Sequence, residues 1–187
     1  MISKLKILTV ADWEAMPHGD GNRYEIIEGE LFVSCSPDLT HQRVAANHTF
    51  LIFWFLKENP IGEAVPTPGL VLSEHSGVIP DLVVFLNEQA ETIVTGERLT
   101  GPPALVIEIV SPGSANVRRD RVAKLQLYSK HGVREYWIVD PGNRTVEQYV
   151  GHGSSLNLLE TLHEGDAVSS SALPGLSCPL SQIFRRI

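Results

Sequence analysis

Glu108 stands inside Leu105-Val106-Ile107-Glu108-Ile109-Val110, a run that otherwise reads as a buried β-strand. An ionised carboxylate is costly in such a place unless it is paired or coordinates a metal. A second carboxylate, Asp81, lies at the mouth of another apolar strand, Pro80-Asp81-Leu82-Val83-Val84-Phe85. Two acids on neighbouring core strands suggest a divalent-cation site, and with it chemistry on phosphate esters. Side chains alternate faces along Leu105 to Val110, so Val106, Glu108 and Val110 share one face. A two-acid nuclease would want a lysine two positions after the glutamate on that face, and Val110 occupies the position.

The following helix offers a lysine instead. Over Val117 to Lys130, at 100° per residue, Asp120 and Lys124 fall about 40° apart. They sit among Val117, Tyr128, Leu125, Leu127 and Ala123, while Arg118, Arg119, Gln126, Ser129 and Lys130 take the outer arc with Val122 as its exception. The pair reads either as an i,i+4 salt bridge of about 0.2–0.5 kcal/mol or as part of a site. A lysine turned toward the sheet that holds Glu108 could orient a water or offset charge on a phosphorane-like transition state. Asp81, Glu108 and Lys124 must then converge on one pocket, with Lys124 no more than about 8 Å away. The cluster Arg118, Arg119 and Arg121 reads as a solvated helix start.

The elements that must position these groups follow from punctuation and periodicity. Val10 to Met16 reads as a short helix with Thr9 as its N-cap. Tyr24–Ile27 and Leu31–Cys35 read as a hairpin around Glu28-Gly29-Glu30. Thr40 is placed to cap a long helix from about His41 to Glu58, which Asn59-Pro60 ends. Glu63–Pro66 and Leu70–Leu72 are short strands, Leu82–Leu86 and Leu105–Val110 firm ones, and 87–101 is polar and irregular. Ser111-Pro112 breaks the chain and Gly132 closes the next helix. Glu135–Val139, Val146–Val150 and Leu156–Leu162 are strands, and Leu173–Leu176 and Leu180–Phe184 dock the C-terminus. β-branched strands with little alternation are usually covered on both faces, so the expectation is a mixed sheet flanked by helices.

Totals narrow the function classes. The chain has 187 residues, 43% hydrophobic and 20% charged, with a formal charge of −7. That fits one domain with a sizeable core and gives no general cationic surface for nonspecific nucleic-acid binding. No apolar run approaches the roughly 18–20 residues that span a bilayer, and the start has no apolar leader segment. Cys35 and Cys178 match no metal-ligand spacing and are expected reduced, in a cytoplasmic protein. Ser111 lacks a Gly-x-Ser-x-Gly context, and no phosphate-cradling glycine pattern occurs. His41 begins the long helix, either near a metal or merely on the surface, and His48 on the same face is structural. Tyr136 and Trp137 are core aromatics. Of Glu25, Glu28 and Glu30, Glu25 is the choice for a further carboxylate because it belongs to the strand body rather than to the turn.

Several of these segments carry a family resemblance. They are Tyr24-Glu25-Ile26-Ile27-Glu28-Gly29-Glu30, His41-Gln42-Arg43, Pro80-Asp81, Glu108-Ile109-Val110-Ser111-Pro112, Asp120 with Lys124 and Tyr128, the run from Gly132 to Pro141, and Leu173-Pro174-Gly175-Leu176. Jointly they resemble the restriction-endonuclease-like superfamily (the PD-(D/E)XK nucleases), and within it the Uma-two family, over nearly the whole chain. The resemblance implies an α/β (α+β) fold in a single domain spanning 1–187: a mixed β-sheet flanked by helices, an α-β-β-β-α-β core, an N-terminal hairpin and C-terminal strands. It implies Mg²⁺ or Mn²⁺ held by Asp81, Glu108 and the carbonyl of Ile109, and hydrolysis of DNA phosphodiesters. Lys124 takes the role of a lysine relocated from the strand. Asp120, Glu25 and His41 support the site, Asp120 by positioning Lys124 or by reaching a second metal. A homodimer is the default assembly. The competing expectation is a module that keeps the fold without turnover and binds protein or nucleic acid.

Overall fold

The computed structural model describes residues 6–17, 19–111, 113, 118–153 and 155–186. After helix α1 (Val10–Glu14) come β1 (Asn22–Ile27), β2 (Glu30–Cys35), helix α2 (Leu39–Glu58), β3 (Gly62–Pro66), β4 (Leu70–Ser73), β5 (Ser76–Val78) and β6 (Leu82–Leu86). A 3₁₀ turn (Asn87–Gln89), α3 (Ala90–Ile93), β7 (Val94–Thr95), β8 (Arg98–Thr100) and β9 (Leu105–Ile109) follow. A π-helical stretch, Arg119–Lys124, runs into α4 (Leu125–His131), then β10 (Glu135–Asp140), β11 (Thr145–His152), β12 (Ser155–Leu162), β13 (Ala167–Ser169), β14 (Ser177–Pro179) and α5 (Leu180–Ile183).

The strands form two six-stranded mixed sheets rather than the single sheet expected. One has the order β12-β11-β10-β9-β6-β3 and the other β2-β1-β5-β4-β8-β7, with β13-β14 as a small ribbon. In the first sheet β9 and β10 are parallel, with Glu108 opposite Ile138, and β6 runs antiparallel to β9 with Leu82 opposite Ile107. The α-β-β-β-α-β core is therefore present as α2, β3, β6, β9, the Arg119–His131 helix and β10. The second sheet is an insertion between β3 and β6, and between β6 and β9, that pairs with the N-terminal hairpin. Its central contact is β1 to β5 through Ile26 and Gly77. A Cβ at Gly77 would fall 2.4 Å from the Trp13 ring, so α1 can lie on this sheet only over a glycine.

Both faces of the central strands β6, β9 and β10 are buried, which is why these strands show almost no polar alternation. Leu82, Val84, Leu105, Ile107, Ile109, Trp137 and Val139 pack toward Val44, Ile52 and Leu56 of α2. Val83, Phe85, Val106, Val110 and Ile138 pack toward Leu127 and Tyr128 of α4 and Leu70 and Val78 of the second sheet. Glu108 lies on that second face, between the sheets.

Several local expectations change. The N-cap of α2 is Asp38, whose carboxylate accepts from His41 N, in place of Thr40; a carboxylate also suits the positive end of the helix dipole. Residues 87–101 are structured, because Ile93 and Leu99 bury in the core and pin a short helix and hairpin. Gly132 does close the long helix, at φ +80. Pro112 of the Ser111-Pro112 break, and Val117 at the expected helix start, lie outside the described residues. Cys35 is exposed and Cys178 buried, both free thiols. No described helix is long and apolar enough to cross a membrane.

Candidate active site

Five segments meet at the end of β9. The loop before β6 brings Asp81, β9 brings Glu108, β1 brings Arg23 and Glu25, and the π-helical stretch brings Arg119, Asp120 and Lys124. The N-terminal turn of α2 adds His41.

Asp81 is held on every side. Arg23 donates to Oδ1 at 3.0 Å, His41 Nε2 lies 3.1 Å from Oδ2, and the N–H of Ile109 donates to Oδ2 at 2.9 Å. Burial works against its charge, but the His41 contact, Arg23 and the Ile109 N–H outweigh it and hold the carboxyl well below its ordinary value. The N–H and C=O of one strand residue point to the same side, so the Ile109 carbonyl faces the Asp81 side of β9.

Lys124 is 0% exposed and makes two ion pairs at 2.8 Å, to Glu108 Oε1 and Glu25 Oε1, with Asp120 at 3.9 Å. Tyr128 donates to the same Oε1 of Glu108 at 2.9 Å. Burial pushes the Tyr128 phenol well above its usual value, and Glu108 adds to this, so it remains a donor. Glu25 also accepts from the N–H of Ile79 at 2.8 Å, while its Oε2 is buried with no hydrogen-bond partner among the described residues. Arg119 donates to Asp120 at 2.9 Å and lies 3.6 Å from that Glu25 oxygen. The Tyr136 hydroxyl ties the helix to β10 by donating to the Asp120 carbonyl at 3.0 Å.

Glu25, Asp81, Glu108 and Asp120 thus face three permanent cations, Arg23, Arg119 and Lys124. Burial and the shortfall of positive charge raise both Asp120 and Glu108. Burial raises the Glu108 pKa to about 8; Asp81, Asp120 and Glu25 add to the rise, and Lys124 opposes it. Lys124 is nonetheless held above its own ordinary value: burial lowers it, but Glu108, Glu25 and Asp120 prevail. These two tendencies conflict for the Lys124–Glu108 pair. Glu25 resolves the conflict. Despite its burial it is lowered by Lys124 and Arg119, so it serves as the standing counterion of Lys124. Glu108 is then the carboxyl that takes up a proton in the metal-free site. Both its described donors reach Oε1, which leaves Oε2 to carry that proton.

A divalent cation fits this electrostatic arrangement, because it would supply the missing charge next to Asp81 and Glu108. Among the described residues no three His, Cys, Asp or Glu side chains are grouped to hold a metal ion. Any ion here would keep much of its water, as Mg²⁺ commonly does with one or two carboxylates.

All the sequence-selected groups, Asp81, Glu108, Lys124, Glu25, Asp120, His41 and Ile109, come together in one cluster. His41, read either near a metal or on the surface, is buried against Asp81. One expectation fails. The basic cluster is not a solvated helix start: Arg119 is buried, and Arg121 pairs with Glu147 and Asp140. Arg119 is next to Asp120, and its long side chain reaches the Asp120 carboxylate and toward Glu25 instead of solvent, which a wheel of Cα directions does not register. Sequence reasoning also missed Arg23. Its signal was its spacing, since Arg23 and Glu25 are two apart on β1 and share a face.

Arg23, His41 and Asp81 line a cleft of about 480 Å³ that continues along α2 past Ala46, Phe50 and Phe53. Glu25, Glu108 and Lys124 are not among the described residues lining it, so the cleft reaches the site from the Asp81 side.

Comparison with known proteins agrees with this architecture. A crystal structure described as "a putative nuclease belonging to DUF820" from Anabaena variabilis superposes with a TM-score of 0.74. It shares 21% identity and covers 95% of this chain and 97% of its own; at that identity the likeness is one of fold. No curated protein matches the chain. The Uma2 family, described as "Putative restriction endonuclease", matches residues 10–181, and the chain belongs to that family.

Proposed function

We propose that the chain is a nuclease that hydrolyses DNA phosphodiesters with Mg²⁺ or Mn²⁺ held by Asp81, Glu108 and the carbonyl of Ile109. The observation that carries this reading is Lys124. It is fully buried, and it reaches Glu108 on the face where a strand lysine would have stood had Val110 not occupied the place. A bound metal would lower the pKa of a water and polarise a phosphate oxygen. The rest belongs to the chain. Glu25 keeps Lys124 charged and Asp120 steadies it from the preceding turn. Lys124 orients the attacking water or offsets negative charge at the phosphorus. Arg23 and His41 fix Asp81 as a carboxylate.

One observation favours a second reading, a module that binds without turnover: both Asp81 oxygens already have partners. A single experiment separates the two. Wild type, Glu108→Gln and Lys124→Met are incubated with linear and supercoiled DNA across a Mg²⁺ and Mn²⁺ titration. Metal-dependent cleavage lost in both variants supports the nuclease. DNA binding without cleavage at any metal concentration supports the module.

A further inference from the structure

α2 carries an aromatic stripe that the fold does not use. Phe50, Phe53 and Trp54 are 64%, 43% and 55% exposed, large values for side chains that elsewhere dominate cores. The Phe50 and Trp54 rings stack at 6.3 Å between centroids, and Lys57 Nζ sits 5.2 Å over Trp54. Two features distinguish this face from an ordinary apolar patch. It is continuous with the candidate active site, because the cleft lined by Phe50 and Phe53 ends at Arg23, His41 and Asp81. Its body is also free of acid: between the N-cap Asp38 and the last residue Glu58 the helix contains Arg43 and Lys57 and no Asp or Glu, in a chain of net charge −7. Exposed aromatic faces flanked by cations, leading from a site that handles phosphate, are the ingredients of a single-strand track. There successive bases stack without sequence preference while cations follow the backbone.

We propose that the α2 cleft is a stacking seat for unpaired bases next to the scissile phosphate. The substrate class would then be single-stranded nucleic acid, or duplex with a single-stranded flap, rather than continuous duplex. This deepens the nuclease reading and rests on it for the location of the scissile phosphate. Phe50 and Phe53 provide the stacking faces, Ala45, Ala46 and Thr49 leave room beside them, and Arg23 meets the backbone where the cleft enters the site. Rise along the helix puts Phe50 about 14 Å from His41, which places the seat beside the site rather than in it.

The test measures fluorescence anisotropy of a labelled oligothymidylate and of a blunt mixed-sequence duplex, in Ca²⁺ to suppress cleavage. Wild type is compared with Phe50→Ala/Phe53→Ala, alongside the sedimentation behaviour of both proteins. We expect wild type to prefer the single strand, and the double variant to lose roughly tenfold or more of that affinity. Its duplex binding and melting temperature should be unchanged, since both rings are exposed. Single-strand affinity equal in the two proteins overturns the proposal. So does a wild-type dimer that becomes monomeric in the variant, because the stripe is then an interface between copies. Cleavage by wild type across a Mg²⁺ and Mn²⁺ titration separates the two readings: single-strand binding that depends on the rings in a wild type that never cleaves keeps the seat and removes the nuclease. Metal-dependent cleavage with ring-independent binding does the reverse.

Discussion

Replacing Lys124 with Met keeps most of the aliphatic stem and removes the charge from a fully buried position. Two 2.8 Å pairs to Glu25 and Glu108 are lost, together with the longer contact to Asp120. Removing one partner of a buried pair leaves an uncompensated charge and costs about 3–5 kcal/mol. With a urea m-value of about 2 kcal/mol/M, the unfolding midpoint at pH 7.5 should fall by about 1.5–2.5 M, followed by Trp fluorescence. The loss must depend on pH. In the variant, Glu25 no longer has its main counterion and protonates more readily, and every pH unit by which an orphaned carboxyl is relieved is worth about 1.4 kcal/mol. The deficit should therefore shrink by half or more at pH 5. Glu25→Gln placed on top of Lys124→Met should restore part of the stability at pH 7.5, because it removes the orphan itself. A midpoint shift under about 0.5 M, or the same deficit at pH 5 and pH 7.5, would show that Lys124 is held by packing alone and would falsify the charge assignment of the site.

Three further outcomes follow from the same geometry. Glu108 titrates at about 8 when folded and near 4.5 when unfolded, so the native state holds a proton that the unfolded chain releases. Its stabilising contribution is full below pH 4.5 and is lost as pH rises through 8, by up to roughly 5 kcal/mol; Glu108→Gln should flatten that limb in chemical denaturation. His48 is buried against Trp137 at 5.5 Å, without hydrogen bonds to its ring nitrogens among the described residues, and burial lowers its pKa to about 4. The unfolded chain binds a proton that the native state refuses, so stability falls as pH drops from 6.5 to 4, by about 3 kcal/mol; His48→Phe, which keeps the stack, should remove that acid limb. Glu135 is buried, has no cation partner among the described residues, and accepts from Trp137, Gln148, Ser170, Ser171 and Ala172. Glu135→Ala strands those donors and should cost about 3 kcal/mol or more, with faster hydrogen exchange at residues 170–172; unchanged exchange there would mean that the segment is held by Leu173 alone.

The amino-acid sequence by itself determined the elements that rest on local rules and on composition. An acid within an apolar strand run has few physical outcomes, so Glu108 was legible as a candidate site residue, and Asp81 at a strand mouth with it. Glycine and proline punctuation placed α2, β9 and the Gly132 stop, and helical periodicity turned Asp120 and Lys124 inward. Tertiary structure decided what periodicity cannot carry. The long side chain of Arg119 turns into the site because the Asp120 and Glu25 carboxylates are gathered there. The second sheet exists because an insertion pairs with the hairpin, and only that pairing delivers Arg23 and Glu25 to carboxylates far along the chain. Charge states are likewise a property of the assembled cluster. Whether Glu108 or Glu25 keeps its proton depends on which carboxylate lies 2.8 Å from Lys124 and also near Arg119, and that is set by packing between elements distant in sequence.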